Sequence, residues 1–259
     1  MKTNCHLIRS TRQCYASALF LAFALGLPAN AAVVMLSPGK DNTIYENANL
    51  SNGAGSVLFA GRSGGTGGGL VLRGLVYFDV ASQVPAGATI DAVTLTLTAN
   101  TPHPNSSTVK LHLSQADWGE GSSVAGSGGA GGAAATAGDA TWTQRIYNTD
   151  AWTTPGGDYA GTASASQAIT GNGAFSFSSA TLTSEVQNML DSPSSNFGWF
   201  MINANEVSGA NTIRFASRED AASRPQLQIS YTTVPEPGVA LFLTAGMVGL
   251  VIARRFKTV

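Results

Sequence analysis

Residues 90–99 read IDAVTLTLTA, where Val93, Leu95 and Leu97 alternate with Thr94, Thr96 and Thr98. An apolar residue at every second position suits a β-strand with one buried and one wet face, and does not suit a helix. Further strands are expected at 70–80, 108–114, 174–178, 198–203, 212–216 and 226–232, separated by Gly, Pro, Asn and Ser clusters that favour turns. One segment breaks the pattern. In SSATLTSEVQNMLDSPSSNFGW, Leu182, Val186, Met189 and Leu190 recur at helical spacing, with Thr181 or Ser184 to cap the start and Pro193 to close it. Many short strands with turns between them predict an all-β fold, a jelly-roll-like antiparallel β-sandwich with one short helix across an end.

Two stretches, GRSGGTGGG at 61–69 and GEGSSVAGSGGAGGAAATAG at 119–138, look too glycine-rich to join either sheet and are expected to be flexible loops. The first lacks the Lys and Ser/Thr of a phosphate-binding loop, and no helical pattern follows it.

The N-terminus bears on compartment. Lys2, Arg9 and Arg12 precede an apolar run from Tyr15 to Leu27, and Ala29, Asn30 and Ala31 offer a small-x-small cleavage site. This reads as a secretory signal peptide over 1–31 cut after Ala31, in preference to a first membrane span, because the apolar core is short and breaks at Pro28. Cys5 and Cys14, the only cysteines, lie inside it. The domain over 32–234 must then hold together through its core rather than through disulfides. It carries eight Lys and Arg against fourteen Asp and Glu, a net charge of −6. That argues against nucleic acid or an anionic membrane as a partner.

LRGLVYFDV (72–80), VPAGATIDAVTLTL, ADWGEG, GDATW and RFASREDAASRPQLQISY occur in that order. Together they resemble the DNRLRE domain family, extracellular β-sandwich modules of which some are classed as carbohydrate-binding. The resemblance runs from about Asp41 to Tyr231. It departs in the long glycine insertion and in a terminal motif reduced to Ser217, Arg218 and Glu219. It implies a sandwich fold and an association with polysaccharide.

The residues themselves suggest several sites. Trp118, Trp142 and Trp152 fall in or beside the glycine-rich region, with Asp117, Glu120, Asp139 and Asp158 nearby. Exposed indoles stack on sugar rings and carboxylates bond to hydroxyls, so Trp118, Glu120, Trp142 and Trp152 are the candidate ligand-binding residues. The alternative is that the tryptophans cap the sandwich beneath long loops. Trp199, in FGWFMI, is expected in the core. Asp41, Asn42 and Glu46 in DNTIYENANLSNG offer hard oxygen ligands for Ca2+, although Asn and Asp clusters also make turns. Arg73, and Arg218 with Glu219, are expected to form ion pairs that tie strand ends together. His112 is expected to be solvated, and Asp117 with Glu120 is the nearest carboxylate pair for a glycosidase, so no enzyme activity is expected. The threonine row of 90–99 would suit ice binding only if neighbouring strands repeated it. Neutral glycans are expected over anionic ones in metal-free buffer, given the acidic surface.

The C-terminus carries Pro235, Glu236 and Pro237, then a short apolar helix at about 238–253, then Arg254 and Arg255. This order of parts resembles the PEP-CTERM sorting signal of Gram-negative envelope proteins, over 235–259. The resemblance implies an exosortase that cuts near Pro-Glu-Pro. The fifteen uncharged residues 239–253 span only ~22 Å as a helix, and the arginines stay cytoplasmic by the positive-inside rule. The expected course is export by signal peptidase, a transient inner-membrane intermediate, then release to the cell surface or extracellular matrix. A permanent single-span anchor is the alternative.

Overall fold

A computed structural model describes residues 30–46, 49–65, 69–100, 107–126 and 128–233. The residues before Asn30, expected as a signal peptide, and the expected sorting tail, with Pro235, Glu236, Pro237, Arg254 and Arg255, lie outside them. In chain order the first strands are β1 (Asn30–Leu36), β2 (Lys40–Tyr45), β3 (Leu50–Ser51), β4 (Val57–Arg62), β5 (Val71–Tyr77), β6 (Thr89–Ala99) and β7 (Ser107–Leu113). A long connection holds the short strands β8 (Ala133–Ala134), β9 (Gln144–Ile146) and β10 (Asp150–Ala151). After it come β11 (Ala165–Ile169), β12 (Gly173–Phe177), the helix α1 (Ala180–Asp191), β13 (Trp199–Asn203), β14 (Ile213–Ala216) and β15 (Gln226–Thr233).

Eleven of these strands join into one antiparallel sheet in the order β1-β15-β6-β14-β4-β5-β13-β7-β11, with β12 also on β6 and β2 also on β5. The sheet folds over on itself. Val93, Leu95 and Leu97 of β6, Phe215 of β14 and Ile229 of β15 share one core cluster with Val76 of β5, Trp199 and Met201 of β13 and Val109 and Leu111 of β7. The two halves therefore face each other as in a β-sandwich.

The fold turns on β4. Val57 to Ala60 pair with β14, whereas Gly61 and Arg62 pair with β5. The strand changes neighbour at Gly61, which holds φ +122 and where a Cβ would stand 2.7 Å from the Asn211 carbonyl. Only glycine takes that backbone without strain. The expectation that 61–69 lies wholly outside the sheet is thus corrected: its first two residues form the corner. Gly61→Ala should lower unfolding stability by at least ~2 kcal/mol in urea titration, from the left-handed φ and the backbone clash together.

Helix α1 buries Leu182, Val186, Met189 and Leu190 as the spacing requires. Its N-cap is Ser179, whose hydroxyl accepts from the Leu182 N–H, rather than Thr181 or Ser184, which lie inside the helix. One edge of the sheet is formed by the first strand on the last. β1 and β15 run antiparallel with Asn30 opposite Thr233 and Ala31 opposite Thr232. The expected cleavage residue Ala31 therefore sits within a paired strand, and cutting after it leaves Ala32 to Leu36 on β15.

Candidate functional site

β5 and β13 lack clean alternation because both of their faces are covered. In β13, Trp199 and Met201 enter the main core while Phe200 and Ile202 point to the outer face. In β5, Val76 faces inward, and Val71 and Leu75 outward. The long connection after β7 folds over that outer face. Trp118, Trp142 and Trp152 pack there on Ile44, Val71, Leu75, Phe200 and Ile202 as a second core. The three indoles are only 1%, 8% and 5% exposed. The expected sugar-stacking platform is corrected accordingly: these rings cover an apolar sheet face that would otherwise meet water. Two indole N–H groups are spent on carbonyls, Trp118 Nε1 on Phe197 at 2.8 Å and Trp152 Nε1 on Thr141 at 2.9 Å.

The carboxylates near the tryptophans are likewise engaged. Asp139 is fully buried and accepts from the Thr136 hydroxyl and from backbone N–H groups. Asp158 accepts from the N–H groups of Thr153 and Thr154. Asp117 pairs with Lys40, whose Nζ also sits 4.4 Å from the Trp118 ring. The 119–138 segment is tied down as well, through β8 on β3 and through Gly119 to Arg145.

Arg73 projects from the outer face of β5 into this layer. It makes a two-toothed bond to Glu206, Nε to Oε1 at 2.9 Å and Nη2 to Oε2 at 2.6 Å, and Nη1 donates to the Gly156 carbonyl. Its guanidinium lies over Trp142 at 4.8 Å and Tyr159 at 5.4 Å. Burial alone would pull the Arg73 pKa down, but Glu206 foremost, with Tyr159 and Glu46, together hold it above its usual value. Beside it opens a cleft of about 370 Å³ lined by Gln115, Thr154, Asp158 and Tyr159. His112 is buried rather than solvated. Its Nδ1 bonds to the Ala160 carbonyl and its ring meets Tyr159 edge-on.

A second polar centre joins three distant parts of the chain. Asp41 of β2, Glu120 of the long connection and Glu219 of the β14–β15 loop bring carboxylate oxygens within 4.8 Å of one another. Arg218 bridges two of them, with Nε 2.6 Å from Glu120 Oε1 and 2.9 Å from Glu219 Oε1. Its backbone N–H donates to Asp41 Oδ2 at 2.7 Å, and the Asp41 N–H donates to Glu120 Oε1 at 2.9 Å. Asp41 is fully buried, and its Oδ1 has no hydrogen-bond partner. Burial drives its pKa well above the ordinary carboxylate range; the Arg218 N–H opposes the rise, and Glu219 and Glu120 reinforce it. Burial also raises Glu120, against the bonds from Asp41 and Arg218.

The expected cation set of Asp41, Asn42 and Glu46 is only partly kept. Asn42 Oδ1 already accepts from Thr43 N, Ser51 Oγ and Asn52 N, while its Nδ2 donates to the Glu120 carbonyl. It is a structural hub with its oxygen occupied. Glu46 accepts from the Val71 N–H and pairs with Arg62. Glu219, expected only as an ion-pair partner, joins Asp41 instead. The threonine row of β6 stands opposite Ala174 and Ser176 on one side and Gln226 and Gln228 on the other, so no threonine grid forms. No protein-family model matches the chain, and no curated protein matches it.

Proposed function

We propose that the chain is an exported cell-envelope protein whose jelly-roll-like β-sandwich, akin to DNRLRE domains, serves as a structural or adhesive module of the surface matrix. In this reading a signal peptidase releases it and an exosortase acts on its PEP-CTERM tail at the inner membrane. The observation that carries the module's role is the burial of Trp118, Trp142 and Trp152. The aromatic groups that would serve sugar stacking instead cement a long loop onto the sheet.

Support for the route comes from the ends of the domain. The chain enters the sheet at Asn30 and leaves it at Thr233, side by side on neighbouring strands. Mass spectrometry of the protein recovered from its native cell surface should find a C-terminus near Glu236. An intact tail recovered in the membrane fraction would establish the permanent anchor instead.

A second reading, direct contact with polysaccharide, is favoured by the cleft beside Arg73, where Tyr159 offers a half-buried ring among Gln115, Thr154 and Asp158. A glycan array probed with the full-length chain, with and without EDTA, separates the two. Absence of retention in both conditions supports the structural module. Retention that Tyr159→Ala abolishes places sugar in the cleft.

A further inference from the structure

We infer that Asp41, Glu120 and Glu219 form a binding site for a hard divalent cation of the Ca2+ type, which clamps the long connection and the β14–β15 loop onto β2. The three carboxylates share one small volume, with ligand oxygens no more than 4.8 Å apart. Three oxygens within that span lie no more than about 2.8 Å from a common point, so a small inward movement brings all three to the ~2.3–2.6 Å of a Ca–O bond. Among the described residues, Arg218 is the only cation that bonds or pairs with them. Ionised as ligands, the three carboxylates against one guanidinium carry two negative charges in excess, which a divalent ion neutralises. The donor set is oxygen only, which selects Ca2+ over the softer transition metals.

The independent sign of a ligand is Asp41 Oδ1. A fully buried carboxylate oxygen without a hydrogen-bond partner is expensive in a folded protein, since burial removes its water and nothing replaces it. A cation supplies what is missing. Glu120 and Glu219 keep side-chain exposures of 19% and 25%, which leaves room for waters to complete the coordination that Ca2+ requires. The ligands come from positions 41, 120 and 219, so one ion cross-links segments that are far apart in sequence, and its binding energy adds to folding.

The test uses the purified full-length chain, stripped with EDTA and titrated with CaCl2 by calorimetry, alongside thermal melts. Ca2+ should bind and raise the Tm, while MgCl2 at equal concentration should do so more weakly. Glu219→Gln keeps the shape but removes a charged donor, and should weaken Ca2+ binding by about tenfold or more. Asp41→Asn should abolish the Tm response, and if it does not fold, Glu219→Gln alone decides. No heat and no Tm shift with CaCl2 would overturn the site. So would Ca2+ binding that Glu219→Gln leaves unchanged, which would put the ion elsewhere, and equal binding of Mg2+ would overturn the assignment to Ca2+. The site does not depend on what the domain contacts, so its failure leaves the structural-module reading standing.

Discussion

Trp118→Ala should destabilise the domain by about 3–5 kcal/mol, the range for removing a large aromatic from a packed core. The residue is 1% exposed, its N–H is bonded to Phe197, and Lys40 lies over its ring. Truncation opens a void between the long connection and the sheet and also strands the Phe197 carbonyl. Urea denaturation followed by near-UV circular dichroism measures the loss. A ring that instead served an exposed sugar platform would leave stability within ~0.5 kcal/mol of wild type. Such a result would overturn the assignment of Trp118 to the second core.

Arg73→Leu should have nearly as large an effect, about 3 kcal/mol, because it leaves Glu206 with a buried and unpaired charge. The side chains of Arg73 and Glu206 are 13% and 18% exposed, so water replaces the lost partner poorly. The double variant Arg73→Leu, Glu206→Leu should be more stable than the single one, by ~1 kcal/mol or more, since the orphaned carboxylate is gone. If the two single variants are merely additive in the double, the pair is not coupled and the loss belongs to the contacts with Trp142 and Gly156.

The strand pattern was legible wherever one face of a strand is wet. β6 alternates because its Thr94, Thr96 and Thr98 are only half-buried while Val93, Leu95 and Leu97 are core. β13 was legible as a strand, but WFMIN is buried throughout. A run apolar in both phases already signals that something covers the second face. Weighing that signal against the three nearby tryptophans points to the buried layer rather than to a sugar platform. β2 was hidden because KDNTIY looks polar. Its Asp41, Asn42 and Thr43 are buried and are tolerated there by bonds to the nearby Ser51 and Asn52 and to Glu120 and Arg218, which return from far along the chain.

The polar centre follows the same logic. Asp41 and Glu120 both stood out as candidates, for separate roles. What brings them together with Glu219 is the closing of the long connection and the β14–β15 loop on β2, a meeting of positions 41, 120 and 219. No local spacing encodes a contact across such separations. Asn42 reads from sequence as a candidate ligand for a related reason: a turn-forming role and a metal-binding role call for the same side chain, and only the fold shows its oxygen accepting from Ser51 and Asn52.

The pairing of β1 with β15 bears on how the domain responds to force. Asn30 lies opposite Thr233, at the point where the chain enters and leaves, and the two strands run antiparallel from there through seven registered pairs to Leu36 opposite Leu227. With the chain cut after Ala31, a pull that separates the two ends opens the remaining pairs, from Ala32 opposite Tyr231 onward, one after another, as a zipper opens, instead of shearing them all at once. The first strand would peel away under a modest load while the facing halves of the sheet stay packed. A protein held at a surface through its C-terminus alone is spared that geometry. The same protein held at both ends would give way first at β1.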